Sequence, residues 1–311
     1  MVQSGAWNWP SVHAITEGTP GSTPTTGTWL PIYNVKNLQV VPHRNNLPIV
    51  GIGRQNESDR LLVKKWAEFN IEVELHKKQT TPAYDPYTMM QYIIEKASGA
   101  DGSPDNTLET FSLRAQHDLT TDEFFWLKGC MLDKVEIVGR NPESIVQMNL
   151  HGIAQYDDYG TTDPVSGSAT AQNNPTSAAI GFGDCDVLYD PTTPVTILSR
   201  VNSFRFTIAR TLDKRGVDST TPTLYREFVP KERYFEAELS IDFDSKTEFE
   251  HFIDVTKTKL TFEIPNAAGG SIFALTTGYW LDGSEIPVRE IDLLNLKLQG
   301  RFATLARTAH G

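Results

Sequence analysis

The chain has 311 residues, 39% hydrophobic and 22% charged, and 28 Lys and Arg against 39 Asp and Glu give a net charge of −11. This is the composition of an ordered globular protein, not a disordered one, and it has room for one large β domain or two smaller ones. The acidic balance excludes a protein that grips nucleic acid, because that affinity rests on Lys and Arg neutralising phosphates.

Residues 1–31 form an arm rich in Gly, Pro, Ser and Thr, a composition that argues against a helix or a regular strand. The arm nevertheless carries Trp7, Trp9 and Trp29, whose apolar area needs somewhere to be buried. A neighbouring subunit is the expected place. Met1–Pro20 lacks the basic-then-apolar pattern of a secretory signal, and no run approaches the roughly 18 apolar residues of a membrane helix. Cys130 and Cys185 are too few for a disulfide framework and read as small buried residues, consistent with synthesis in a cytoplasm.

From Ile32 the pattern has period two. In WAEFNIEVEL (66–75), Phe69, Ile71, Val73 and Leu75 share one face and Glu68, Asn70, Glu72 and Glu74 the other, which predicts a half-buried antiparallel strand. A short helix is expected next, capped by Asp85, with Pro86 at its first position and Gly99 as its stop. Strands are predicted over 108–114, 131–138 and 145–154, and a long loop or crossing over 157–194. The second half offers strands over 201–208 and 234–243, a helix capped by Ser245, then strands over 259–264, 271–276 and 291–303.

Three blocks recur in order: WAEFNIEVEL as YFEAELSIDF, IVQMNLHGIA as LLNLKLQGRF, and VKNLQVV as VNSFRFT. Their offsets are 168, 148 and 166 residues (66 to 234, 145 to 293, 35 to 201), with Gly152 and Gly300 at matching places. The expected plan is therefore mainly β: an arm (1–31), a first β unit (32–156), a crossing loop (157–194) and a second β unit (195–311), each unit with one short flanking helix.

Catalytic and metal chemistry is not nominated. The seven histidines show no ligand spacing, and there is no nucleophile elbow or Walker loop. Gly51-Ile52-Gly53 lacks the third glycine of a dinucleotide fingerprint. Asp184-Cys185-Asp186 and Asp242-Phe243-Asp244 are acid pairs of a kind that can hold a divalent cation, but alternation alone explains Asp242. The expectation is no enzyme and no cofactor.

The run LKGCMLDKVEIVGRNPESIVQMNLHGIAQ (127–155), with its Gly129-Cys130 pair leading a strand, resembles the tail tube proteins of long-tailed phages. RVNSFRFTIARTLD (200–213) is similar to that family's strand before a long hairpin loop, and YFEAELSIDFDSKTEFEHFI (234–253) to the strand-then-helix piece that follows. The resemblance spans about 32–303. It implies β-barrel or sandwich units and a structural virion protein whose rings stack into a hollow tube for DNA. DNA passes without specific binding, and the tape measure and terminator proteins are the other partners. A duplicated chain implies a trimeric, pseudo-hexameric ring, with a hexamer of whole chains as the other option. Trp7, Trp9, Trp29, Arg215 and Tyr225 are then interface candidates, with loops 157–194 and 210–232 reaching between rings. Glu68, Glu72, Glu74, Glu236, Glu238 and Asp242 line either the lumen, where they repel phosphates, or a solvated outer face. A terminator, distal tail or baseplate ring protein and a carbohydrate-binding β-sandwich are the competing readings.

Overall fold

A computed structural model describes residues 11–22, 28–49, 59–77, 110–117, 123–140, 144–163, 168–169, 178–189, 195–216, 224–242, 258–264, 271–282 and 295–309. Both expected helices lie outside these residues, as do Trp7 and Trp9. The described chain is mainly β. Its first half holds β1 (Ser11–Thr16), β2 (Thr28–Pro31), β3 (Val35–Ile49), β4 (Asp59–Glu74), β5 (Phe111–His117), β6 (Glu123–Arg140), β7 (Gln147–Ala154) and β8 (Tyr156–Gly160). Then come β9 (Ser168–Ala169), β10 (Asp186–Tyr189), β11 (Val195–Thr196), β12 (Val201–Arg215), β13 (Glu227–Asp242), β14 (Thr258–Ile264), β15 (Ser271–Asp282) and β16 (Asn295–Ala309).

One strand order runs twice. The first half pairs β3-β4-β7-β6-β5-β1-β2, and the second pairs β12-β13-β16-β15-β14-β10-β11. The match holds at the level of single residue pairs. Ala67↔Ala154 through Glu74↔Gln147 in β4–β7 is repeated by Phe235↔Phe302 through Asp242↔Asn295 in β13–β16. The register shift at Val35/Asn37 in β3–β4 recurs at Val201/Ser203 in β12–β13, and the pair Asn46↔Leu62 beyond the next shift recurs as Leu212↔Pro230. A shift at Leu132/Lys134 in β6–β7 recurs at Trp280/Asp282 in β15–β16.

The halves meet where β6 pairs with β12, from Lys134↔Ala209 to Arg140↔Ser203. Among the described residues the strands form one continuous sheet, antiparallel except where β2 meets β9, and no barrel closes, which leaves the sandwich of the two expected unit types. Each half is a sandwich. The long β6 leaves the β7/β12 ladder near Gly129, which takes a left-handed φ of 60°, and carries β5 back over the apolar face. Phe69 on β4 therefore meets Phe111 on β5 edge-on at 6.2 Å, and Phe206 on β12 stacks on Phe262 of β14 at 5.6 Å. One apolar core runs through both halves.

Three local expectations change. The arm contains a true strand: SVHAIT alternates well enough to pair with β5 along its whole length, from Ser11↔Gln116 to Thr16↔Phe111, and buries Val12 completely. Most of 210–232 is not loop, because the ladder continues past its shift to Arg215↔Glu227. The crossing 157–194 holds β8 and β10, and Ile180 is inserted beside Leu75 and Val146 by backbone hydrogen bonds of 2.9 and 2.8 Å.

Candidate functional site: the polar sheet face and its seam

Alternation sends the apolar residues of β3, β4, β7, β6, β12, β13 and β16 into the core and their polar residues to the opposite face. Register then builds lateral rows that cross the boundary between the halves. One row reads Asn37, Glu72, Asn149, Glu136, Thr207, Glu236, Arg301, and the next Glu74, Gln147, Val138, Arg205, Glu238, Gln299. Hollows of about 670, 470 and 390 Å³ lie among the side chains of this face.

All six acids singled out in the sequence lie on this one face, and four of them stand within 4 Å of a Lys or Arg side chain. Glu74 pairs with Lys36 at 2.8 Å, Glu238 with Arg205 at 3.2 Å and Glu236 with Arg301 at 3.3 Å. Glu68 lies 3.3 Å from His43 and 3.9 Å from Lys214, and Asp242 accepts a 2.7 Å hydrogen bond from Asn202. Glu136 is matched by Lys134 at 2.8 Å. A half-exposed face of this kind is polar and carries charges of both signs. His151 forms a 2.6 Å hydrogen bond with Asp133, which holds the imidazole pKa above its usual value against the opposing effect of partial burial.

At one margin of the face, the far end of the β12/β13 hairpin folds across the first half. Phe228, with Leu212 and Tyr225 against it, packs on Met131 and Ile153 in a second, small apolar cluster. Lys64 Nζ donates to the Leu224 carbonyl at 2.7 Å, and Gln155 Nε2 to the Arg226 carbonyl at 2.9 Å. Trp66 is the hub. His43 stacks on it at 4.9 Å, Lys214 lies 4.1 Å from the ring, and Tyr225 meets it edge-on at 5.8 Å. Burial lowers the Lys214 pKa, opposed by Glu68 and Asp133.

Of the interface candidates, Tyr225 thus contacts its own chain, and Arg215 pairs with Asp213 at 3.0 Å in the same hairpin. Trp29 is 1% exposed and finds its burial within the chain, on β2, without a neighbour. Both cysteines are buried free thiols, and burial pushes Cys185 up to about 12. Sequence reasoning missed the Trp66 clamp. Its signal was an indole on the polar face of an otherwise alternating strand, in line with Glu68. Among the described residues no group of His, Cys, Asp and Glu is arranged to hold a metal, and no helix is long and apolar enough to cross a membrane.

A continuous, mainly antiparallel sheet with an extended polar face and a strand-to-strand seam makes this a mainly β-protein. Residues 11–300 match the family described as phage tail tube protein, and the chain belongs to that family. It is a structural component of a virion tail. No curated protein matches the chain.

Proposed function

We propose that the chain is a tandem duplication of a tail tube unit, that three copies close a pseudo-sixfold ring, and that stacked rings form the conduit for DNA. The observation that carries this reading is the unequal state of two equivalent edges. The outer edge of β12 is covered by β6, whereas the same edge of β3 has no strand against it among the described residues. Exposure follows. Thr207 is 6% exposed and Ala209 2%, while Val41, the counterpart of Thr207, is 42% exposed. An uncovered ladder of N–H and C=O groups is a template for another strand.

The repeated register says which strand fits. β15 is the counterpart of β6, Asp282 that of Lys134, and His43 that of Ala209. The β15 end of one copy at Asp282 therefore meets His43 of the next. This head-to-tail joint repeats the in-chain seam and closes when the rotation permits.

Perimeter selects the copy number. Each chain brings eight strands to the polar face, β3, β4, β7, β6, β12, β13, β16 and β15. At about 4.8 Å per strand, three chains span a perimeter of about 115 Å, hence roughly 37 Å between backbones. Side chains occupy about 5 Å on each wall, half the ~10 Å spacing of stacked sheets, which leaves room for a duplex. Two chains would leave about 14 Å, too little, and six would leave more than 60 Å. Strand tilt widens each value. The mixed-charge lining gives phosphates neither a cationic seat nor an anionic wall, so DNA and a tape measure protein slide through.

Negative-stain microscopy of the concentrated protein tests the reading. Hollow rings or tubes are expected, and a chain that stays monomeric at every concentration and salt would refute it.

A further inference from the structure

We infer that the β3/β4 hairpin of one copy lies across the polar face of the adjoining copy's second half, around Tyr234 and Arg301, as the β12/β13 hairpin lies across the first half within the chain. This rests on the ring reading and adds a second contact to each joint.

Within the chain, the hairpin end carrying Leu212 and Phe228 sits on Ile153 and Met131, beside Trp66 and Lys64. The shared register transfers each position. Leu212↔Pro230 corresponds to Asn46↔Leu62, so Asn46 stands where Leu212 stands. Phe69↔Gly152 corresponds to Ala237↔Gly300, so Arg301 stands where Ile153 stands. His43↔Trp66 corresponds to Ala209↔Tyr234, so Tyr234 takes the place of Trp66 and Glu232 that of Lys64.

The seat on the second half is on the surface. Arg301 and Glu232 are exposed, Tyr234 is half-buried, and the Arg301 guanidinium lies 4.8 Å from the Tyr234 ring. Continuity with the in-chain seam names the occupant as a second copy. The chemistry differs between the two seats. The in-chain seat is apolar, built from Ile153, Met131, Leu212 and Phe228. The seat between copies carries Arg301, Tyr234 and Glu232, and the hairpin positions equivalent to Leu212, Glu227 and Phe228 are Asn46, Asp59 and Arg60. A joint of this composition is polar and sensitive to salt. The halves of one chain stay together where separate copies come apart.

The full chain carrying Asn46→Cys with Arg301→Cys tests this under mild oxidation, with Asn46→Cys and Gln299→Cys as a second pair on the same exposed face of β16. Both native cysteines are buried. Within one chain β3 and β16 are six ladder steps apart, roughly 29 Å along the sheet at about 4.8 Å each, far beyond the about 7 Å limit for a disulfide. Disulfide-linked dimers and trimers on a denaturing gel, absent from each single variant, are the expected result. Rings in the microscope with chains that remain unlinked for both pairs would overturn the hairpin contact and leave the ring reading standing. Absence of both rings and links would overturn the ring reading, and the hairpin contact with it.

Discussion

Gly152→Ala puts the packing of the first half's sheet to a quantitative test. Gly152 lies on β7 opposite Phe69 of β4 and Leu132 of β6. A Cβ there would come 2.4 Å from the Met131 carbonyl oxygen and 2.5 and 3.0 Å from the Phe69 ring. The ring is 1% exposed and held edge-on by Phe111, so it cannot swing away, and the carbonyl belongs to the neighbouring strand. Overpacking of this kind costs about 1–3 kcal/mol, and relief of the strand-interior glycine returns roughly 0.5–1 kcal/mol. Because one clash is with backbone, the net loss is placed at about 2 kcal/mol. For a chain of 311 residues that is a fall in Tm of about 3 °C. Thermal melting of the dilute protein reads it, with Gly18→Ala as control, since a Cβ at Gly18 meets nothing within 4 Å. A Gly152→Ala protein that melts at or above the wild-type temperature would show that β4, β7 and β6 do not pack as described.

Three further outcomes follow from the polar face. Trp66→Ala removes the ring shared by His43, Lys214 and Tyr225, and is expected to cost about 2 kcal/mol, half of a full aromatic truncation because Trp66 is half-buried. Hydrogen exchange should quicken over 224–230 and not along the β6–β12 ladder; uniform quickening would contradict the clamp. His151 has a raised pKa, so the Asp133 contact stabilises the fold fully below the unfolded-state value near 6.5 and is lost as pH rises through the raised folded value. His151→Gln should flatten the pH dependence of Tm between about 6 and 8, and an unchanged slope would exclude the pair as its source. Glu236→Lys with Glu238→Lys breaks the pairs with Arg301 and Arg205 and moves the formal charge from −11 to −7. Tubes of this variant should retain DNA at low salt and release it at high salt; release that ignores salt would place these residues outside the lumen.

The repeated strand core was legible because alternation and one shared glycine survive in both halves. The offsets between Phe69 and Ala237 and between Gly152 and Gly300 are the ones the ladders obey. Short strands escaped notice: β1 at Ser11–Thr16 and β10 at Asp186–Tyr189, for example, sit in Gly-, Pro- and Ser-rich surroundings, and only pairing with β5 and β14 makes them strands. The extent of the β12/β13 hairpin was hidden because Arg210, Asp213, Lys214 and Arg215 interrupt the apolar pattern, although main-chain pairing continues beneath them. The six acids were legible as a face, but not the ion pairs of Glu238, Glu236 and Glu74. Arg205, Arg301 and Lys36 reach them from neighbouring strands, and a linear pattern carries no record of which strand lies alongside.

The central claim is that one chain supplies two equivalent ring units, so that the edge of β3 takes the β15 end of another copy. Native mass spectrometry of isolated rings, read against symmetry-averaged images of the same sample, tests it most directly. Three chains of 34.7 kDa in a ring with near-sixfold density and true threefold symmetry are expected. Six whole chains in the ring, or three chains joined through an edge other than β3, would contradict it.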